Sequence, residues 1–157
     1  MSVNILDGYN VEICAPEAFT GGTNGTRGDK DSAAGTANPL FVTQGEVKVI
    51  VYGVCTTTLV GAGAISVGVA GNTGLILPSI SDATTIAAGD VWVDSAVGEI
   101  GGFVATSLPA ATFLANSQTI IEAVITTDVT AGNIYYVCLW IPISKNGRVK
   151  ATRPRDN

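Results

Sequence analysis

The sequence predicts an all-β chain, an antiparallel β-sandwich or jelly roll with a loop-rich N-terminal arm, and three observations carry that prediction. From Leu40 onward apolar residues recur with a period of two, and no stretch shows the 3.6-residue spacing of an amphipathic helix. Clusters of Gly, Asn, Asp and Pro punctuate that region at roughly ten-residue intervals, the spacing of short strands in sandwiches. Between Val49 and Ser144 there is no lysine, arginine or histidine, so the strands of this region, rich in Val, Ile, Thr and Ala, are expected to be covered on most sides.

Residues 1–39 read as the arm. Val3 to Leu6 and Tyr9 to Cys14 could each form a short strand, the second ended by Ala15-Pro16. The run from Phe19 to Pro39 is made of turn formers and charges with little to bury, so a long loop that orders against a neighbour is expected. The sandwich is predicted over residues 40–152. In Glu46 to Cys55, Val47, Val49, Val51 and Gly53 share one face, with Lys48, Ile50, Tyr52 and Val54 on the other. Ile65 to Ala70 makes the next strand, closed by Gly71-Asn-Thr-Gly74, and Leu75 to Leu77 follows. Thr84 to Ile86, Val91 to Val93 and Phe103 to Ser107 are short strands, and Pro109 to Leu114 is the one helical turn expected. Gln118 to Thr127 and Asn133 to Ile143 are long strands, the latter apolar in both alternating sets, and Lys145-Asn-Gly-Arg148 predicts a hairpin into Val149 to Thr152. Val47, Val49, Val51, Ile120, Val124, Val137 and Leu139 are the expected core.

With 157 residues the chain makes one domain able to bury a core of its own. Its 13% of charged residues is about half the usual share, which leaves apolar surface for a partner or for further copies. The net charge of −5 divides into −3 over residues 1–48, −6 over 49–144 and +4 over 145–157. The start, Met-Ser-Val-Asn-Ile-Leu-Asp-Gly, lacks a basic segment followed by an apolar run, so synthesis in the cytoplasm is expected. The uncharged stretch from Val49 to Ser81 is broken by Gly61, Gly63, Gly68, Gly71, Gly74 and Pro78, which argues against a membrane span.

The absence of histidine removes the commonest general base near neutral pH, the activating partner of a serine or cysteine nucleophile, and the commonest zinc ligand. Cys14, Cys55 and Cys138, odd in number and set among apolar residues, read as small buried thiols. Asp90, Asp94 and Glu99 are the remaining candidates for a carboxylate pair, and their positions between strands predict solvated turn acids. Asp29-Lys-Asp31 fails as a calcium loop because Leu40 falls where the bidentate glutamate belongs, and the Gly21 to Gly28 run lacks the Gly-Lys-Ser/Thr ending of a phosphate loop. Arg27-Gly-Asp29, a receptor-type tripeptide, is short enough to arise by chance. No catalytic residue, cofactor or metal site is therefore expected. Lys145, Arg148, Lys150, Arg153 and Arg155 form a basic C-terminal stretch, its last part a tail over 153–157. Without interleaved aromatics, and on an acidic body, it suits an acidic protein surface better than nucleic acid.

The succession Gly45-Glu-Val-Lys-Val-Ile-Val-Tyr-Gly53, Ile65-Ser-Val-Gly-Val-Ala-Gly-Asn-Thr-Gly74, Ala88-Gly-Asp-Val-Trp92, Asp128-Val-Thr-Ala-Gly132, Tyr136-Val-Cys-Leu-Trp-Ile-Pro-Ile-Ser144 and Asn146-Gly147 resembles the jelly-roll decoration, or cement, proteins of tailed-bacteriophage heads. The resemblance spans roughly residues 40–152 and lies in the overall pattern. It implies a homotrimer on the outer surface of the virion capsid, bound to the major capsid protein and stabilising capsomer contacts, with no catalysis. Residues 1–39 and the basic stretch would then hold the module on the shell. A tail or fibre subunit and a carbohydrate-binding sandwich are the alternatives; the latter needs an exposed aromatic platform, whereas the apolar strand contexts of Trp92 and Trp140 read as core.

Overall fold

A computed structural model describes residues 8–19, 37–93, 96–99 and 111–155. Eleven strands are formed among them: β1 (Asn10–Ala18), β2 (Ala37–Gln44), β3 (Val47–Val60), β4 (Ala64–Val69), β5 (Asn72–Ile80), β6 (Asp90–Val93), β7 (Ala96–Glu99), β8 (Thr112–Leu114), β9 (Thr119–Ile125), β10 (Ala131–Pro142) and β11 (Arg148–Ala151). They make two antiparallel sheets. The first has the order β1-β10-β3-β6-β7, with β8 also on β3, and the second β11-β2-β9-β4-β5. Four pairs are nested along the chain, β4 with β5, β3 with β6, β2 with β9 and β1 with β10. Because each pair alternates between the two sheets, a folded-over ribbon results, which is the jelly roll.

Strict alternation builds the core. Val47, Val49, Val51 and Cys55 of β3 turn inward and are buried, while Lys48, Ile50, Tyr52 and Val54 between them are half-buried on the outer side. From the second sheet Ile65, Val67, Ile120 and Val124 meet them, and Trp92 and Tyr136 fill the middle edge to face, ring centroids 6.4 Å apart. Five of the seven expected core residues lie in this cluster. Val137 and Leu139 do not. They are buried on the outer side of β10, whose inward residues are Ile134, Tyr136 and Cys138. Both faces of this strand are apolar, so its hydrophobic pattern alone could not decide which one meets the second sheet.

Four other expectations are corrected. β1 runs past Ala15-Pro16 through a register shift between Cys14 and Glu17, which an edge strand tolerates because the missing proline N–H breaks no inner ladder. Packed β-structure therefore begins at Asn10, inside the stretch read as an arm. The turn at Lys145-Asn-Gly-Arg148 is no hairpin, since β10 belongs to the first sheet and β11 pairs with β2 in the second. Thr112 to Leu114, read as part of a helical turn, is a strand on Val47 to Val49. Thr84 to Ile86, read as a strand, instead contributes to a 3-10 turn, Ala83–Thr85, capped by Asp82, which accepts the Thr84 N–H at 2.9 Å. The expected strands Val3 to Leu6 and Phe103 to Ser107 lie outside the described residues, as do most of the Phe19 to Pro39 loop and Arg27-Gly-Asp29.

Residues 152–154 close one side of the sandwich. Thr152 N–H donates to the Leu40 carbonyl at 2.9 Å, Ala15 N–H donates to the Arg153 carbonyl at 2.7 Å, and Pro154 bridges to Cys14. The end of the chain thus ties the edge of the second sheet to β1 of the first. Among the described residues no helix is long and apolar enough to cross a membrane.

Candidate interaction surface

The basic residues are the natural starting point, and the fold separates them. Alternation along β11 buries Val149 and exposes Arg148 and Lys150, which stand opposite Gln44 and Val42 on the outside of the second sheet. Lys145 is exposed in the turn before β11. The Arg153 side chain, half-buried, points Nη1 toward the Pro39 carbonyl at 3.5 Å. Beyond the crossover at Pro154, Arg155 lies over the Tyr135 ring, 5.5 Å from its centroid, on the outside of the first sheet. Of the five, only Arg148 and Lys150 share a strand face, so no single basic patch forms.

The carboxylate candidates are also rearranged. Asp90 is buried, with 7% of its surface exposed, and its Oδ2 accepts the Ala87 N–H at 2.7 Å. It closes the turn that starts β6, which corrects its reading as a solvated acid and explains why a carboxylate is tolerated there. The backbone register sets Asp90 opposite Glu99. Asp94 lies outside the described residues. Trp92 is buried at 1% exposure, and Trp140 packs partly against the core.

A polar contact inside the sandwich escaped the sequence reading. Glu122 of β9, 2% exposed, accepts a 2.7 Å hydrogen bond from the Tyr136 hydroxyl of β10 across the gap between the sheets, and a longer one of 3.4 Å from Asn38 Nδ2. Burial, and then the Glu122 carboxylate, push the Tyr136 hydroxyl well above its ordinary pKa. The one available signal was an acid at an inward position of a strand otherwise apolar on both sides. The three cysteines are buried and unbridged. Burial raises all three thiols, most strongly Cys138, against a partial pull downward at Cys14 from Arg153. They stay protonated at neutral pH and make poor nucleophiles. Among the described residues no three His, Cys, Asp or Glu side chains converge as metal ligands.

What the fold does assemble is an apolar surface on the outside of the first sheet. Residues opposite one another in register share a face, which gives four rows across β1, β10, β3 and their neighbours. One row is Ile13, Val137 and Tyr52, and the next Val11, Leu139 and Ile50. Beyond them lie Tyr135, Val54 and Val91 at one end, and Ile141, Lys48 and Phe113 at the other. Lys48 is the only charged residue in these rows, its Nζ 5.7 Å from the Phe113 ring. Val11 is 56% exposed and Phe113 67%. Burial and then Tyr135 raise the Tyr52 hydroxyl, a mark of how closely the side chains already pack here. The outside of the second sheet differs in carrying the charges of Arg148 and Lys150, with Gln44 and Thr119, beside the exposed Val42 and Ile125. The chain matches no family model, no curated protein and no solved structure.

Proposed function

We propose that this chain is a structural protein that works by assembly: a decoration protein that sits on the outer surface of a bacteriophage head, contacts the major capsid protein and stabilises the joints between capsomers. The observation that carries the reading is the outer face of the first sheet, a nearly uncharged surface of aliphatic and aromatic residues on a rigid jelly roll. A surface of this kind is concealed by another protein surface when the molecule does its work. The likeness of residues 40–152 to head decoration proteins supplies the setting, and a sandwich with protonated, buried thiols suits a module whose role is mechanical. The carbohydrate-binding alternative gains no aromatic platform from the two tryptophans, since Trp92 is buried and Trp140 packs partly against the core.

Attachment through residues 1–39 and the basic stretch needs restating. β1 and residues 152–154 belong to the sandwich, so removing residues 1–39 would strip an edge strand and expose β10. The attachment reading narrows to Lys145, Arg148 and Lys150. Co-sedimentation of the purified protein with expanded, undecorated heads tests the proposal, at low and high salt. Saturable binding that raises the temperature at which the heads open is the expected result, with the Lys145→Gln, Arg148→Gln, Lys150→Gln triple variant weaker at low salt only. Heads that bind no protein and open at an unchanged temperature would refute it.

A further inference from the structure

We infer that Asn146 is a site of spontaneous covalent modification, at which its carboxamide closes on the Gly147 nitrogen and reopens as an acid, placing a negative charge inside the basic stretch. The consequence for docking rests on the attachment reading above. The chemistry at Asn146 does not.

The crossover from β10 to β11 brings the reacting groups together. Asn146 is exposed, and the residue after it has no side chain to hinder approach to its nitrogen. The Ser144 hydroxyl donates to Asn146 Oδ1 at 3.0 Å while it accepts the Glu46 N–H at 2.8 Å. Its proton is thus held at the oxygen where negative charge gathers when a nucleophile adds to the carboxamide carbon, and a donor already in place favours that addition. A Cβ built on Gly45 would stand 2.6 Å from Ser144 Oγ, 2.8 Å from Asn146 Oδ1 and 3.0 Å from the Gly147 nitrogen. Donor, electrophile and nucleophile therefore surround one small space that glycine leaves open. The Gly147 N–H donates to the Ser144 carbonyl at 2.9 Å, and this bond must open before the nitrogen attacks. A surface turn opens at little cost, so the bond sets the pace and does not block the reaction.

Water and hydroxide are the only reagents the reaction needs. Hydroxide takes the Gly147 amide proton, the nitrogen forms a bond to Asn146 Cγ, and the carboxamide nitrogen, protonated by water, leaves as ammonia. A five-membered imide then joins the two residues. Water adds to one imide carbonyl and opens the ring, giving aspartate when the bond from Cγ to nitrogen breaks and isoaspartate when the original peptide bond breaks. Either product carries one new negative charge. Lys145, Arg148 and Lys150 lie on either side of it, so the net charge of this group falls from +3 to +2. Protein that ages in free form therefore docks more weakly than fresh protein.

Intact protein held in warm, mildly alkaline buffer and sampled by peptide mapping with mass spectrometry tests this. The peptide containing Asn146 should show the mass gain of an amide exchanged for an acid, with ammonia released in step. Asn24-Gly25, the other Asn-Gly pair of the chain, lies outside the described residues and serves as an internal reference. Ser144→Ala should slow conversion at Asn146 about fivefold, the effect of one lost hydrogen bond to the developing charge, and leave Asn24 unchanged. In urea the parent and this variant should convert Asn146 at the same rate, because the donor is no longer held in place. Circular dichroism confirms that the variant is folded in buffer. An Asn146 that keeps its amide in the folded protein yet loses it in urea overturns the inference, as does a folded Ser144→Ala variant that converts as fast as the parent. For docking, Asn146→Asp should bind undecorated heads about threefold more weakly at low salt and like the parent at high salt. Parent-like binding of Asn146→Asp at both salts would remove attachment through this stretch and leave the modification site standing. An Asn146 that never converts would do the reverse.

Discussion

The two faces of the first sheet are built from the same strands and nearly the same residue types, yet they serve different ends. Inside, β10 contributes Ile134, Tyr136 and Cys138 to a packed layer against the second sheet, pinned by the Tyr136 to Glu122 hydrogen bond. Outside, the same strand presents Tyr135, Val137, Leu139 and Ile141, in register with Val54, Tyr52, Ile50 and Lys48 of β3. Apolar content alone therefore does not mark the core. What marks it is a complementary partner layer, and here a buried carboxylate of that layer accepts a hydrogen bond from the inward hydroxyl of β10.

The largest effects are expected from truncating the inner face. Trp92→Ala removes a fully buried ring and its edge contact with Tyr136, and should cost about 3–5 kcal/mol in urea unfolding. A cost below about 1 kcal/mol would mean that the inner layer is not packed as described. Tyr136→Phe keeps the ring and removes the donor to a buried carboxylate, which should cost about 1–3 kcal/mol. If Tyr136→Phe were neutral, Glu122 would be satisfied by other means.

The buried thiols of the inner face make stability depend on pH. Cys14, Cys55 and Cys138 belong to the inner face, and burial raises their pKa above the ordinary thiol value near 8.5. Between the unfolded and folded values the unfolded chain loses a proton that the folded chain keeps. The stability from protonated thiols is therefore complete below about pH 8.5 and falls as pH rises beyond it. Melting temperature measured from pH 7 to 9.5 should drop in the upper half of that range, and a Cys14→Ala, Cys55→Ala, Cys138→Ala variant should show a flatter profile. The smallest stability effect is expected outside. Val11→Ser should change the stability of the single chain by about 0.5 kcal/mol or less, because that side chain is more than half exposed before any partner arrives.

Much of the sandwich was legible in the residues themselves. The alternation from Val47 to Cys55 gave both faces of β3 correctly, because Lys48 and the half-buried residues around it separate the two sides. β10 offered no such contrast, and Val137 and Leu139 went to the wrong layer for that reason. The Asn146-Gly147 turn predicted a hairpin, but local turn chemistry does not say which sheet the next strand joins. That choice rests on pairing with β2, a hundred residues away in the chain. The basic stretch looked like one patch for a similar reason, since the alternation in β11 and the crossover at Pro154 place its charges on opposite sides of the molecule. The apolar outer surface was legible only as a low overall charge; its location needed the register of four strands.

On the proposed function, the outer face of the first sheet is covered by protein when the molecule works. Hydroxyl-radical footprinting of the intact chain, read by mass spectrometry at low and high protein concentration, tests it residue by residue. Tyr52, Tyr135 and Phe113 should become protected as concentration rises, Val42 and Leu75 on the second sheet should not change, and Tyr136 should be unreactive throughout. Equal reactivity of Tyr52, Tyr135 and Phe113 at all concentrations, or protection that appears at Val42 and Leu75 instead, would contradict it.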